Sequence, residues 1–160
     1  MTELIRKKLN DSPIARWTAM FIVSFTMMCG YFITDVMASL EVMCTTPVAD
    51  GGLGWSSSEY GFFSGAYGYI NVFLLMLFFG GIILDKCGIR FTGVMSSSLM
   101  LGGALLKWYA LATDFGDATF MGYHLQVVLA SLGFAVFGMG AEITGITAVS
   151  YTHLTLPTIA

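Results

Sequence analysis

Asp35 and Glu142 each lie inside a long apolar run, where carboxylates are expensive. An ionised side chain at the centre of a membrane helix costs about 2.5–3.5 kcal/mol on insertion scales. Neither residue has a cation close by in sequence. The partner that offsets the cost is therefore a ligand amine, a proton or a cation on another helix, or, more plainly, a hydrogen bond to a neighbouring helix. Tyr67 and Asn71 are four residues apart and share one helical face. They could present a hydroxyl and an amide to a peptide-like solute; the plainer reading is an interfacial tyrosine and an interhelical amide bond. This is binding chemistry without catalysis. The chain has no His/Glu metal pair, no Ser-His-Asp set and no phosphate loop, so neither an enzyme nor a cofactor is expected. His124, at a membrane boundary, reads as solvated.

The elements that position these groups follow from composition. Of 160 residues, 56% are hydrophobic and only 11% charged, with a mean hydropathy of +0.78. Soluble domains have roughly 45–50% apolar and about 25% charged residues. The useful count is of membrane spans, each needing about 20 apolar residues to cross about 30 Å of hydrocarbon. Four are expected: Trp17 to Leu40, Tyr60 to Leu84, Phe91 to Ala112 and Gly122 to Thr147. Helix is the state available to a lone segment in lipid, which must satisfy its own backbone hydrogen bonds. The fold class is thus an all-α membrane protein. Residues 1–16 form an amino-terminal segment, either a short interfacial helix carrying Leu4, Ile5 and Leu9 or a disordered stub. No A-x-A cleavage site follows, so a signal peptide is not expected. Cys29, Cys44 and Cys87 have no metal or disulfide spacing, and no nucleic-acid footprint is present.

Orientation follows from the cations. Arg6, Lys7, Lys8 and Arg16 precede span one, and Lys86 and Arg90 separate spans two and three. The connections holding Asp50 and Glu59, and Asp114 and Asp117, contain neither Lys nor Arg. The amino terminus and the Lys86–Arg90 loop are therefore expected in the cytoplasm. Lys107, near the outer end of span three, can snorkel. The stretch from Thr45 to Ser58, with Pro47, Gly51, Gly52 and Gly54, reads as an ordinary connection. Ser56 and Glu59 read as a cap on span two. Gly61 and Gly65, and the small face of Gly138, Ala141 and Gly145, read as helix-packing contacts.

From Val149 the chain turns polar, and Val149 to Thr158 corresponds codon for codon to a familiar transposase-adapter read whose first bases complete Ala148. Residues 148–160 are therefore expected to be translated adapter, with native sequence ending at Thr147, and His153 and Pro157 carry no functional argument.

At the turn between spans two and three stands Gly81-Ile82-Ile83-Leu84-Asp85-Lys86-Cys87-Gly88-Ile89-Arg90. This resembles the signature of the major facilitator superfamily, G-x-L-a-D-r-x-G-r-r. Gly81 would allow close helix approach and Gly88 a tight turn. The resemblance implies a cytoplasmic latch built on Gly81, Asp85, Lys86, Gly88 and Arg90. Tyr31-Phe32-x-x-Asp35, Tyr67-x-Tyr69-x-Asn71-Val72, Phe78-Phe79-Gly80-Gly81 and Phe137 to Glu142 look like the branch of lysosomal dipeptide transporters and their bacterial relatives. It implies a twelve-helix bundle of two halves, of which this chain holds the first four helices. Substrate would meet Glu142, Asp35, Tyr67, Asn71 and Tyr31. Phe134 stands where the superfamily's fourth helix usually has arginine, which points to facilitated diffusion instead of proton symport. The expected partners are the lipid bilayer, a small polar solute and further helices of the same protein. The expected location is a bacterial inner membrane. A non-transporting receptor or assembly subunit on the same scaffold is the alternative.

Overall fold

The structure is a computed structural model and describes residues 12–73, 76–116 and 118–155. Arg6, Lys7, Lys8, Asp117 and residues 156–160 lie outside the described residues. Helix α1 spans Pro13–Ser39. Its start is set by sequence: Pro13 occupies the first turn, and Ser12 Oγ accepts from the Ala15 amide at 3.4 Å. That cap begins the helix four residues ahead of the expected Trp17. Short α2, Glu41–Thr45, and a 3-10 turn, Val48–Asp50, follow.

Helix α3, Ser57–Phe73, opens with a reciprocal capping box, as Ser56 and Glu59 led us to expect. The Ser56 amide and hydroxyl both donate to Glu59 Oε2 at 2.9 Å, and the Glu59 amide donates back to Ser56 Oγ at 3.2 Å. Helix α4, Met76–Ala112, has two arms divided at Gly88, whose φ of 80° and ψ of 164° are not helical. That region is open almost exclusively to glycine, so the turn expected there falls on the residue able to make it. The stretch expected to form the second span, Tyr60 to Leu84, is divided between α3 and the first arm of α4. Among the described residues, three helices are long and apolar enough to cross a membrane: α1, the Phe78–Ala112 part of α4, and Leu125–Ser150 of α5.

Helix α5, Leu125–Thr155, is the centre of the bundle. It continues as helix through residues 148–155, past the expected end at Thr147. Val127, Ala130, Phe134, Phe137 and Ile143 on it are buried. The second arm of α4 runs antiparallel against it at backbone contact. A Cβ on Gly103 would stand 2.3 Å from the Phe137 nitrogen, and one on Gly133 would stand 2.6 Å from the Lys107 nitrogen. Small residues let two helix backbones approach this closely. Helix α3 runs parallel to α5, with Phe63 stacked on Phe134 at 5.2 Å and Gly138 against the Tyr67 carbonyl.

A two-residue antiparallel ladder pairs β1, Thr119–Phe120, with β2, Tyr123–His124. Met121 and Gly122 between them both have positive φ, as the tightest hairpin turns require. Nothing in an apolar run flanked by Met-Gly announced this hairpin. The Thr45–Ser58 stretch is also more ordered than an ordinary connection. Leu53, Gly54 and Trp55 amides donate to the carbonyls of Met43, Thr46 and Cys44, and Trp55 is buried.

Candidate functional site

Three helices bring the predicted polar residues together around Tyr67. Its hydroxyl donates to Glu142 Oε1 at 3.0 Å, joining α3 to α5. Because α3 and α5 run parallel, residues 67 and 142 meet at one depth although they are 75 apart in sequence. Asn71 lies one turn further along α3, as its spacing predicted. Its Nδ2 donates to the Tyr67 carbonyl at 2.8 Å and lies 3.0 Å from where a Cβ on Gly138 would stand. Only glycine at 138 leaves room for the amide. The other end of that amide, Asn71 Oδ1, is buried and has no hydrogen-bond partner among the described residues.

Tyr31 and Asp35 on α1 come within electrostatic reach of Tyr67, yet both are exposed. Asp35 makes no ion pair with another described residue. Tyr31, Asp35, Tyr67, Asn71 and Glu142 therefore form one polar patch on an otherwise apolar bundle, closed on the α5 side and open on the α1 side.

Phe134 is the hub behind this patch. Its ring lies 5.2 Å from Phe63, 5.6 Å from Tyr67 and 6.4 Å from Phe137. Over it sits Lys107, whose Nζ is 4.7 Å from the Phe134 centroid and 5.4 Å from that of Phe137. Lys107 is 5% exposed, and its Nζ has no hydrogen-bond partner among the described residues. This differs from the expected snorkelling lysine. The close α4–α5 approach at Gly103 and Gly133 holds the stem inside, and the two rings offer the ammonium a cation–π surface in place of water. A basic side chain thus stands over Phe134, supplied by α4. Sequence reasoning missed it because 107 and 134 are joined only by helix packing.

At the end of the bundle where α3 begins, Glu59 has a second role that the sequence did not reveal. Its Oε1 accepts from the His124 amide at 3.0 Å and contacts the His124 ring nitrogen Nδ1 at 2.5 Å. Trp55 Nε1 donates to Gln126 Oε1 at 3.0 Å beside it. His124 is therefore a clasp between α3 and the β2 strand that leads into α5, not a merely solvated side chain. Burial opposes ionisation of Glu59. Hydrogen bonds from the His124 amide, the Ser56 amide and hydroxyl, and the His124 ring outweigh it and hold the carboxyl at about 2.

Asp85, Lys86, Gly88 and Arg90 of the motif turn are exposed. Asp85 pairs with neither cation, since His124–Glu59 is the one ion pair among the described residues. Gly81 has nothing within 4 Å of a Cβ, and the close contact falls on Gly80, against Ile143 and Ile146. Gly61 is likewise open, and Gly65 meets only Tyr69. No group of three or more His, Cys, Asp or Glu able to hold a metal occurs among the described residues. No protein family, curated protein or solved structure matches the chain.

Proposed function

We propose that this chain is part of a membrane transporter of the major facilitator type, moving a small polar solute with an amine, such as a short peptide, by alternating access. The observation that carries this reading is the half-buried Tyr67–Glu142 pair, set among polar neighbours in helices that are otherwise apolar. Intramembrane ionisable groups in such positions are used for substrates and ions. Exposure of Asp35 and Tyr31 supports a path whose opposite wall comes from further helices, because an ionisable group facing lipid is costly. Four crossings are proposed, with α3 and the first arm of α4 making the second. The amino terminus and the Asp85–Arg90 turn would lie in the cytoplasm of a bacterial cell, and that turn would latch the cytoplasmic side.

The test is uptake of labelled dipeptides into liposomes holding the protein expressed from its complete reading frame. Glu142→Gln should reduce uptake at least about tenfold, a loss of about 1.4 kcal/mol in transition-state or substrate binding. Unchanged uptake in that variant removes Glu142 from the path. Absence of flux for any small solute, with a ligand-responsive protein partner, would favour a receptor or assembly subunit.

A further inference from the structure

A groove of about 460 Å³ lies between α1, the second arm of α4 and one turn of α5, away from the Tyr67–Glu142 patch. On α4 it extends from Ile89 to Leu101. Those twelve steps measure about 18 Å at 1.5 Å per residue. That is little more than half of the roughly 30 Å hydrocarbon thickness, so the groove is about one leaflet deep. A transmembrane helix docked there would need a groove about twice as long.

The wall combines Ile22, Val23, Val94 and Leu101 with hydroxyl residues. The hydroxyls are not free donors. Thr26, Ser96, Thr144 and Thr147 each donate to a carbonyl of their own helix, at 2.8–3.0 Å. With those protons committed, the wall suits a hydrocarbon chain, as backbone-bonded hydroxyls do in membrane helices. At one end Arg90 is exposed and forms no ion pair with any described residue, including Asp85 in the same turn. A guanidinium is the side chain best shaped to hold phosphate oxygens in pairs, and basic pockets between membrane helices on the cytoplasmic side take lipid head groups.

We infer that this groove is a binding site for an anionic phospholipid, with one acyl chain lying against α1 and α4 and the phosphate held by Arg90. The inference rests on the membrane placement proposed above but not on transport. Charge complementarity at Arg90 and a depth matching one leaflet select this occupant over a helix or a free anion.

The experiment is native mass spectrometry of the detergent-purified chain, titrated with phosphatidylglycerol and phosphatidylcholine of identical acyl chains. The expected result is one retained lipid, with phosphatidylglycerol favoured about five-fold, the effect of a single basic residue at a membrane surface. Arg90→Gln should remove the preference and Arg90→Lys should restore part of it. Gly93→Leu, which fills the groove at a position where a Cβ meets nothing within 4 Å, should remove both lipids while helicity by circular dichroism stays unchanged. Equal retention of the two lipids, a preference surviving Arg90→Gln, or displacement by inorganic phosphate alone would overturn the inference. A chain that stays in solution without detergent would instead overturn the membrane placement itself.

Discussion

The hydroxyl of Tyr67 donates to Glu142 Oε1 at 3.0 Å across the parallel α3–α5 interface, so two side chains 75 residues apart share one polar contact inside an apolar bundle. Its energetic weight is measurable apart from any transport assay. In a double-mutant cycle of Tyr67→Phe and Glu142→Gln, unfolding in mixed micelles followed by far-ultraviolet circular dichroism should give a coupling of about 0.6–1.7 kcal/mol. Strictly additive single mutants would show that the two side chains do not interact.

Acid should loosen the Glu59–His124 end of the bundle first. The Glu59 carboxyl is held at about 2 in the fold, against an ordinary value of 4.5. A group whose folded value lies below its unfolded one contributes its stability in full above the unfolded value, and loses it as pH falls towards the folded one. The contribution should therefore be intact at pH 7 and fade between about pH 4.5 and 2. Trp55, buried beside the clasp, reports this through its fluorescence. Glu59→Gln should cost about 1.5–3 kcal/mol at pH 7, the worth of a charged hydrogen bond, and flatten the acid response. The same acid slope in wild type and variant would show that another group carries it.

Glycine positions should separate sharply by contact. Gly103→Ala places a Cβ 2.3 Å from the Phe137 nitrogen and 2.6 Å from the Gly133 oxygen. Neither backbone atom can move alone, so a loss of about 1–3 kcal/mol is expected. Gly61→Ala on α3 meets nothing within 4 Å and should gain about 0.5–1 kcal/mol through helix propensity. Thermal unfolding of the two variants side by side decides this, and a tolerated Gly103→Ala would contradict the close α4–α5 approach.

The cysteines allow the proposed orientation to be read without engineering. Cys87 is exposed in the motif turn, whereas Cys44 is 5% exposed on the other side of the bundle. Reactivity of a thiol follows its access as well as its ionisation. A membrane-impermeant maleimide should leave Cys87 unmodified in intact cells and label it after permeabilisation, ahead of Cys44. Labelling of Cys87 from outside intact cells would reverse the orientation.

What the sequence determined by itself was local. Apolar runs interrupted by charge announced long helices, Ser56 to Glu59 announced a helix start, and Gly88 announced a break, because each depends on residues within a turn of one another; the Ser12–Pro13 start of α1 lies four residues ahead of the expected Trp17. Tyr67 and Asn71 on one face followed in the same way from their spacing. Tertiary structure alone decided which polar groups meet. Tyr67 with Glu142, His124 with Glu59 and Lys107 with Phe134 all depend on the depth at which α3 and α4 dock on α5. That docking is set by backbone contact at Gly103, Gly133, Gly138 and Gly140. The physical reason is that helices apolar nearly all round carry no amphipathic stripe, so periodicity cannot say which face packs. Shape decides it, through small residues whose partners are far away in the chain.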